Sequence, residues 1–169
     1  MELISEITFG LNSNPITYSN LIRKNYQRVV SDGSYNYKNQ IYLYSLNETG
    51  KPGFDVITPF ETISKEIVLV NRGWIPKELK ELPEINSYKG NTKITGLLRK
   101  IYKANIFKPE NDINDNIWFS VNLDDLEKFT GKKFSNFIIY LEDKDVKTPS
   151  PRKITVDVPN NHLKYAITW

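Results

Sequence analysis

Short runs of β-branched and aromatic residues, separated by glycine and proline, constrain the fold of this chain more than any other feature. The clearest run is Ile67-Val68-Leu69-Val70, whose unbroken apolar character indicates a strand that is buried on both faces. Runs this short suit strands, because helices need longer amphipathic segments. We therefore predict a single α+β domain, mainly antiparallel β, built as a small twisted sheet or barrel with a few short helices.

Strand composition recurs along the middle of the chain. Asp32-Gly33 is typical of a turn and would separate the first two strands. Residues 77–92 are charged and have no apolar period, so we predict a surface loop there. The predicted strands cover residues 26–31, 40–46, 54–58, 67–70, 93–100, 117–121, 137–141 and 154–158.

One internal helix is predicted over residues 123–130. Asn122 has the side chain of a good N-cap, and Asp124 and Asp125 follow in the first turn, where the helix dipole favours negative charge. Gly131 is a typical residue to end such a helix. These acidic residues are therefore interpreted as helix-terminal charges and not as an acid–base pair.

Both ends of the chain are predicted to be helical. Apolar residues in segment 1–25 recur at helical spacing in two stretches, the second of which includes Leu21 and Ile22. Residues 160–169 have the pattern of a second helical start, which stops at Trp169. The β-rich body then spans residues 26–158 of one domain that covers the whole sequence.

Composition excludes several functional classes. The 169 residues include no cysteine and one histidine, His162. These counts exclude a disulfide framework, a thiolate zinc site, a thiol nucleophile and a multi-histidine metal site. The net charge of +3 is mild, whereas nucleic-acid binders concentrate more positive charge on one face. The tyrosine- and lysine-rich segment 26–46 still leaves an oligonucleotide-binding barrel as a distant alternative.

The corner Asn71-Arg72-Gly73-Trp74 is a candidate binding site. It follows the buried run, and Gly73 permits a positive φ there. Arg72 could clamp a carboxylate, with the flat ring of Trp74 beside it. The alternative is structural, with Arg72 paired to an internal carboxylate or stacked on Trp74.

His162 is a candidate metal ligand. If Asn160 or Asn161 caps the last helix, His162 lies in its first turn, where the helix dipole favours a neutral imidazole. Tyr165 and Trp169 then share its helix face, three and seven residues further on, so the three side chains could form the edge of a haem pocket. Alternatively, the two aromatic residues form a membrane-interface belt beside a histidine that binds nothing. Neither a nucleophile setting nor a glycine-rich phosphate loop is present, so we predict that the protein is not an enzyme.

Four segments together resemble the surfeit locus protein 1 family, and their order and spacing match over essentially the whole chain. They are Gly53 to Phe60 (with Pro59), Leu69 to Pro76, Gly96 to Arg99, and Asn161-His162-Leu163 followed by Tyr165, Thr168 and Trp169. We expect Gly53, Pro59, Asn71, Gly73 and Trp74 to be structural members of these motifs, with Gly53 and Gly73 required by turn geometry.

The resemblance implies an assembly factor for cytochrome c oxidase. Members of that family have a transmembrane helix at each end and a domain between them, on the periplasmic side of the bacterial plasma membrane or in the mitochondrial intermembrane space. This sequence resembles that domain without its two membrane helices, and it does not distinguish the two sources. The implied partners are the catalytic subunit of the oxidase, other assembly factors and the membrane; nucleic acid is not among them.

Two functions are compatible with the resemblance. In the first, the protein binds haem a and hands it over to the catalytic subunit, with His162 as an axial ligand, Tyr165 and Trp169 as flanking aromatic residues, and Arg72 as a propionate partner. In the second, the protein is a non-enzymatic scaffold that stabilises an assembly intermediate of the oxidase without binding haem.

Overall fold

The computed structural model describes residues 14–80, 90–102 and 107–142. Within these ranges the chain forms seven strands and one α-helix. Short 3-10 turns follow β2 and β5, at Tyr37–Asn39 and Lys77–Leu79. The strands are β1 (Ile16–Thr17), β2 (Gln27–Tyr35), β3 (Ile41–Leu46), β4 (Pro52–Thr62), β5 (Ile67–Pro76), β6 (Thr92–Lys100) and β7 (Phe137–Leu141), and the helix α1 is Leu123–Thr130.

The strands close into a barrel. Their order is β1-β2-β6-β7-β5-β4-β3, and an additional pairing of β2 with β4 joins the five strands β2, β6, β7, β5 and β4 into a ring. Two of the pairs are parallel, β1 with β2 and β5 with β7, and the other pairs are antiparallel. The predicted mainly antiparallel barrel is thereby confirmed.

The barrel interior is filled by side chains. Successive residues of a strand point to opposite faces, and in β5 Val68 and Val70 belong to the inner cluster, whereas Leu69 belongs to an outer one. The predicted strand that is buried on both faces is therefore confirmed. The buried members of the inner cluster are Tyr18, Val29, Phe60, Val68, Val70, Ile94, Leu98, Phe137, Ile139 and Leu141.

A second apolar cluster lies outside the barrel wall. Trp118 and Leu126 of the segment that includes α1 are fully buried, and they pack with Ile57, Leu69 and Ile138 of the wall. The indole of Trp118 meets the ring of Phe129 edge to face, with 5.9 Å between ring centroids. α1 therefore covers one side of the barrel.

Local capping signals determine the ends of α1, as the sequence predicts. The Oδ1 atom of Asn122 accepts a hydrogen bond from the backbone N–H of Asp125 at 3.1 Å. At the other end, Gly131 has the left-handed conformation, with φ of 73°, and its N–H donates to the carbonyl oxygen of Glu127. The prediction of a helix over 123–130 is confirmed at both ends.

The expected helix before residue 25 is wrong for its described part. Residues 14–25 contain β1 instead, which pairs through Ile16 and Thr17 with Val29 and Val30 of β2. Tyr18 follows directly and packs into the inner cluster, and burial raises the pKa of its phenol. Tertiary pairing thus overrides the weak helical spacing of this segment.

Two further strand predictions need correction. Asp32-Gly33 is not a turn, because β2 continues through it to Tyr35. Residues 117–121 form no strand; Ile117 and Trp118 make only isolated bridges, to Asp112 and Leu43.

Several predictions fall outside the described residues. They are the terminal helices over 1–13 and 160–169, the strand over 154–158 and most of the loop predicted over 77–92. Across residues 14–80, 90–102 and 107–142, no helix is both long enough and apolar enough to cross a membrane.

Candidate functional site

Arg72 lies at one end of the barrel interior. It follows Val68 and Val70 on the same face of β5, and it is only 2% exposed. Its guanidinium carbon lies 5.1 Å from the ring centroid of Tyr35 and 5.1 Å from that of Tyr37. The guanidinium is therefore in cation–π contact with two tyrosine rings, which favours a structural role for this arginine with partners other than the predicted carboxylate or Trp74.

The side-chain amide of Gln40 accepts a hydrogen bond from the guanidinium of Arg72. The Nη1 atom of Arg72 donates a hydrogen bond to the Oε1 atom of Gln40 at 2.9 Å, and the hydroxyl of Thr58 donates to the same oxygen at 2.5 Å. The Nε2 atom of Gln40 donates to the Tyr42 hydroxyl at 3.0 Å. These bonds determine the orientation of the amide, so the oxygen of a neutral amide accepts a hydrogen bond from the guanidinium.

Asn71 lies on the opposite face of β5 from Arg72, and its side chain forms two hydrogen bonds. Its Nδ2 atom donates to the Oδ2 atom of Asp55 at 3.1 Å, and its Oδ1 atom accepts from the N–H of Gly73 at 3.0 Å. Gly73 has a φ of 123°, a value that strongly favours glycine. Gly73 therefore serves backbone geometry, but it does so at an irregularity inside β5 and not in the predicted turn.

Gly53 is needed for a different reason from the predicted one. It lies inside β4 and is not in a turn. A Cβ atom at this position would lie 2.6 Å from the indole ring of Trp74 and would also collide with the carbonyl oxygen of Ile75. The absent side chain therefore lets Trp74 cover the strand, where its Nε1 atom donates to the carbonyl oxygen of Ser45 at 3.2 Å.

Pro59 lies where β4 changes its partner. The strand pairs with β3 up to Ile57 and with β2 from Phe60 onwards. The carbonyl oxygen of Pro59 accepts a hydrogen bond from the N–H of Asn36 at 2.8 Å, in the connection between β2 and β3. A residue without an N–H is tolerated at this edge because no ladder bond is required there.

The structure brings the six predicted motif residues Gly53, Pro59, Asn71, Arg72, Gly73 and Trp74 together on two paired strands, β4 and β5. His162, Tyr165 and Trp169 lie outside the described residues, so their predicted roles remain predictions. Within the described ranges, no group of three or more histidine, cysteine, aspartate or glutamate side chains could hold a metal ion.

A cleft of about 490 Å³ lies beside Glu142, the last described residue. Glu142 forms an ion pair with Arg28 there, with 2.9 Å between Oε2 and Nη2. Tyr35 also lines this cleft, and it is one of the two rings in contact with Arg72. One of the two rings in contact with Arg72 therefore lines the same cleft as Glu142.

Sequence reasoning missed a second concave surface, which we call the basic groove. It has a volume of about 330 Å³, and Tyr44, Arg99, Lys100, Tyr102, Lys108 and Phe119 are among its lining residues. The segment Arg99-Lys100-Ile101-Tyr102 is a possible signal, because two cationic residues are followed by an apolar and an aromatic one. The other residues come from distant parts of the chain, so only the fold reveals the groove.

The fold defines a class: a small closed β-barrel domain whose interior is filled by side chains. The model of the SURF1 family matches residues 1–169, and the chain belongs to that family.

Relatives in bacteria and vertebrates agree with this assignment. The chain is 32% identical over 151 residues to a SURF1-like protein of Rickettsia conorii, a match that covers 85% of this chain and 63% of the relative. It is 28% identical to Surfeit locus protein 1 of Takifugu rubripes, over 100% of this chain and 80% of the relative, and 28% identical to that of Gallus gallus, over 100% of this chain and 62% of the relative. The chain therefore spans less than two thirds of the length of several relatives.

Proposed function

We propose that this chain is the extramembrane domain of an assembly factor for cytochrome c oxidase, which binds haem a and hands it over to the catalytic subunit. The observation that carries the proposal is the match of the SURF1 family along all 169 residues, which includes both the Asn71 to Trp74 corner and the segment around His162. The role is non-catalytic, and the domain faces the bacterial periplasm or the mitochondrial intermembrane space. Its proposed partners are the catalytic subunit, other assembly factors and the membrane, and nucleic acid is not one of them.

The described residues restrict where a haem group could bind. The barrel interior is filled by the inner cluster, so a porphyrin does not fit inside it. Arg72 is buried against Tyr35 and Tyr37, so it does not fit the role of a propionate partner in this conformation. Haem binding therefore depends on His162, with Tyr165 and Trp169 beside it.

The test is the absorption spectrum of the full-length protein, purified from cells that make haem a. We expect a haem band that His162→Ala removes or shifts, because this chain has no other imidazole. Lys164→Ala is the matched control, since it changes the same segment without touching the imidazole. An unchanged band in His162→Ala would remove this residue from the ligand role.

The second candidate is a scaffold that binds the catalytic subunit without haem. The burial of Arg72 favours it, because the residue predicted to contact a haem propionate is buried in the barrel and not exposed to a ligand. A scaffold predicts that His162→Ala still co-purifies with the catalytic subunit at the native yield. Loss of the subunit from His162→Ala, but not from Lys164→Ala, would favour haem handover instead.

A further inference from the structure

The basic groove concentrates positive charge beside aromatic rings. Arg99, Lys100 and Lys108 line it, and none of its described lining residues is aspartate or glutamate. The exposed Tyr102 and Tyr44 stand at the groove with 65% and 40% of their surface accessible. Arginine and aromatic residues are enriched at protein interfaces, because they bury a large area and donate several hydrogen bonds.

The guanidinium of Arg99 is in contact with two tyrosine rings. Its guanidinium carbon lies 4.9 Å from the ring centroid of Tyr26 and 5.4 Å from that of Tyr140. Its Nε atom is buried without a hydrogen-bond partner, and no described carboxylate forms an ion pair with it. An orientated arginine that forms no ion pair with any described carboxylate is suited to binding a carboxylate of a partner.

The cationic and aromatic character continues beyond Arg99. The Nζ atom of Lys100 lies 5.8 Å from the ring centroid of Tyr102. At the β3 side, the rings of Tyr44 and Phe119 are 5.9 Å apart, and the Nζ atom of Lys77 lies 5.8 Å from the ring centroid of Tyr44. Positive charges therefore lie on both sides of the aromatic rings of Tyr44, Phe119 and Tyr102. This arrangement suits an extended ligand better than a single small anion.

We propose that the basic groove binds an acidic segment of a partner protein, one in which carboxylate side chains alternate with apolar or aromatic ones. Carboxylates would contact Arg99, Lys100 and Lys108, and the apolar side chains would pack on Tyr44, Tyr102 and Phe119. The inference goes beyond the proposed function, because it assigns a docking surface that uses neither His162 nor Arg72.

Two other anionic partners fit the groove less well. Nucleic-acid binding relies on many phosphate contacts along a strongly basic face, whereas three of the described residues that line this groove are cationic and the net charge is only +3. A lipid surface is flat, whereas the site is concave and its arginine is partly buried between two rings.

The test measures fluorescence anisotropy of a labelled short peptide that alternates glutamate with leucine and phenylalanine. We expect saturable binding to the 169-residue chain that weakens as salt is added. The double variant Lys100→Glu/Lys108→Glu should bind about tenfold more weakly, because two rim charges are reversed. The control Lys38→Glu/Lys132→Glu makes the same change in net charge at two exposed lysines outside the groove and should bind like the native chain.

Three outcomes would overturn the proposal. The first is equal binding of a peptide with glutamine in place of glutamate, and the second is equal weakening by the groove and control variants. The third is binding of vesicles of phosphatidylglycerol, or of oligothymidylate, without binding of the acidic peptide. All four reversed lysines are exposed, so the variants should fold, and Phe119→Ser provides an independent test of the apolar contact. The haem spectrum of the groove variant should be native, so failure here is distinguishable from failure of the proposed function.

Discussion

Burying an arginine is costly unless neighbouring groups stabilise its positive charge. Arg72 is in contact with the rings of Tyr35 and Tyr37 and with the amide of Gln40. We expect Arg72→Ala to lower the free energy of unfolding by about 2–4 kcal/mol, because it removes a charged hydrogen bond and two desolvated cation–π contacts. Urea denaturation of the purified domain measures this difference.

Arg72→Lys separates charge from shape at the same position. Lysine keeps the positive charge but lacks the planar group that stacks on tyrosine rings, so its stability should lie between those of the native chain and Arg72→Ala. Native stability in the alanine variant would show that these contacts contribute little to folding.

Residue identity alone indicated which motif residues matter but not always why. Gly73 is predicted to serve turn geometry; its φ of 123° is a value that favours glycine, but the residue lies inside β5 and not in a turn. Gly53 was assigned to a turn, yet it is needed because the indole of Trp74 lies against it from the neighbouring strand. A contact between residues twenty-one positions apart is absent from any local pattern, since it exists only once β4 and β5 pair.

At the scale of secondary structure, α1 depends on its cap. Asn122→Ala should lower the free energy of unfolding by about 1 kcal/mol, because the N–H of Asp125 loses its acceptor. Asn122→Asp should retain most of that stability, because its carboxylate can accept the same bond. Thermal denaturation compares the two variants, with Asn114→Ala as an exposed control. An alanine variant as stable as the native chain would mean that packing of Leu126 suffices without the cap.

Elements with complete local signals were predicted well, and elements that depend on distant partners were not. The predicted bounds of α1 and β7 agree with the structure, because caps mark the helix and an apolar run defines the strand. Residues 117–121 have strand composition, but Trp118 is buried against Leu69 and Ile138 and pairs with β3 at one bridge only. The parallel pairing of β5 with β7 also has no local signal, because 60 residues lie between the end of β5 and the start of β7.

At the scale of the whole molecule, closure of the barrel depends on Gly33. This residue pairs with Thr62 of β4 and with Thr92 of β6, so it lies where the ring of strands closes. A Cβ atom here would lie 2.8 Å from the Phe60 ring and would collide with the carbonyl oxygen of Glu61.

We expect Gly33→Ala to lower the free energy of unfolding by about 1–3 kcal/mol, because the collision forces β2 away from β4. Hydrogen exchange should report the loss at the backbone amides of Gly33 and Tyr35. Asp32→Ala, at the exposed neighbouring position, should change stability by less than about 0.5 kcal/mol. Equal effects of the two variants would show that the close approach of β2 and β4 at Gly33 does not contribute to stability.

The packed interior of the barrel also has a kinetic consequence. Because side chains from five strands occupy that space, the proposed handover of haem would use a site other than the barrel interior. Binding and release at such a site would not require the strands of the sheet to separate, so the barrel would stay folded throughout the exchange.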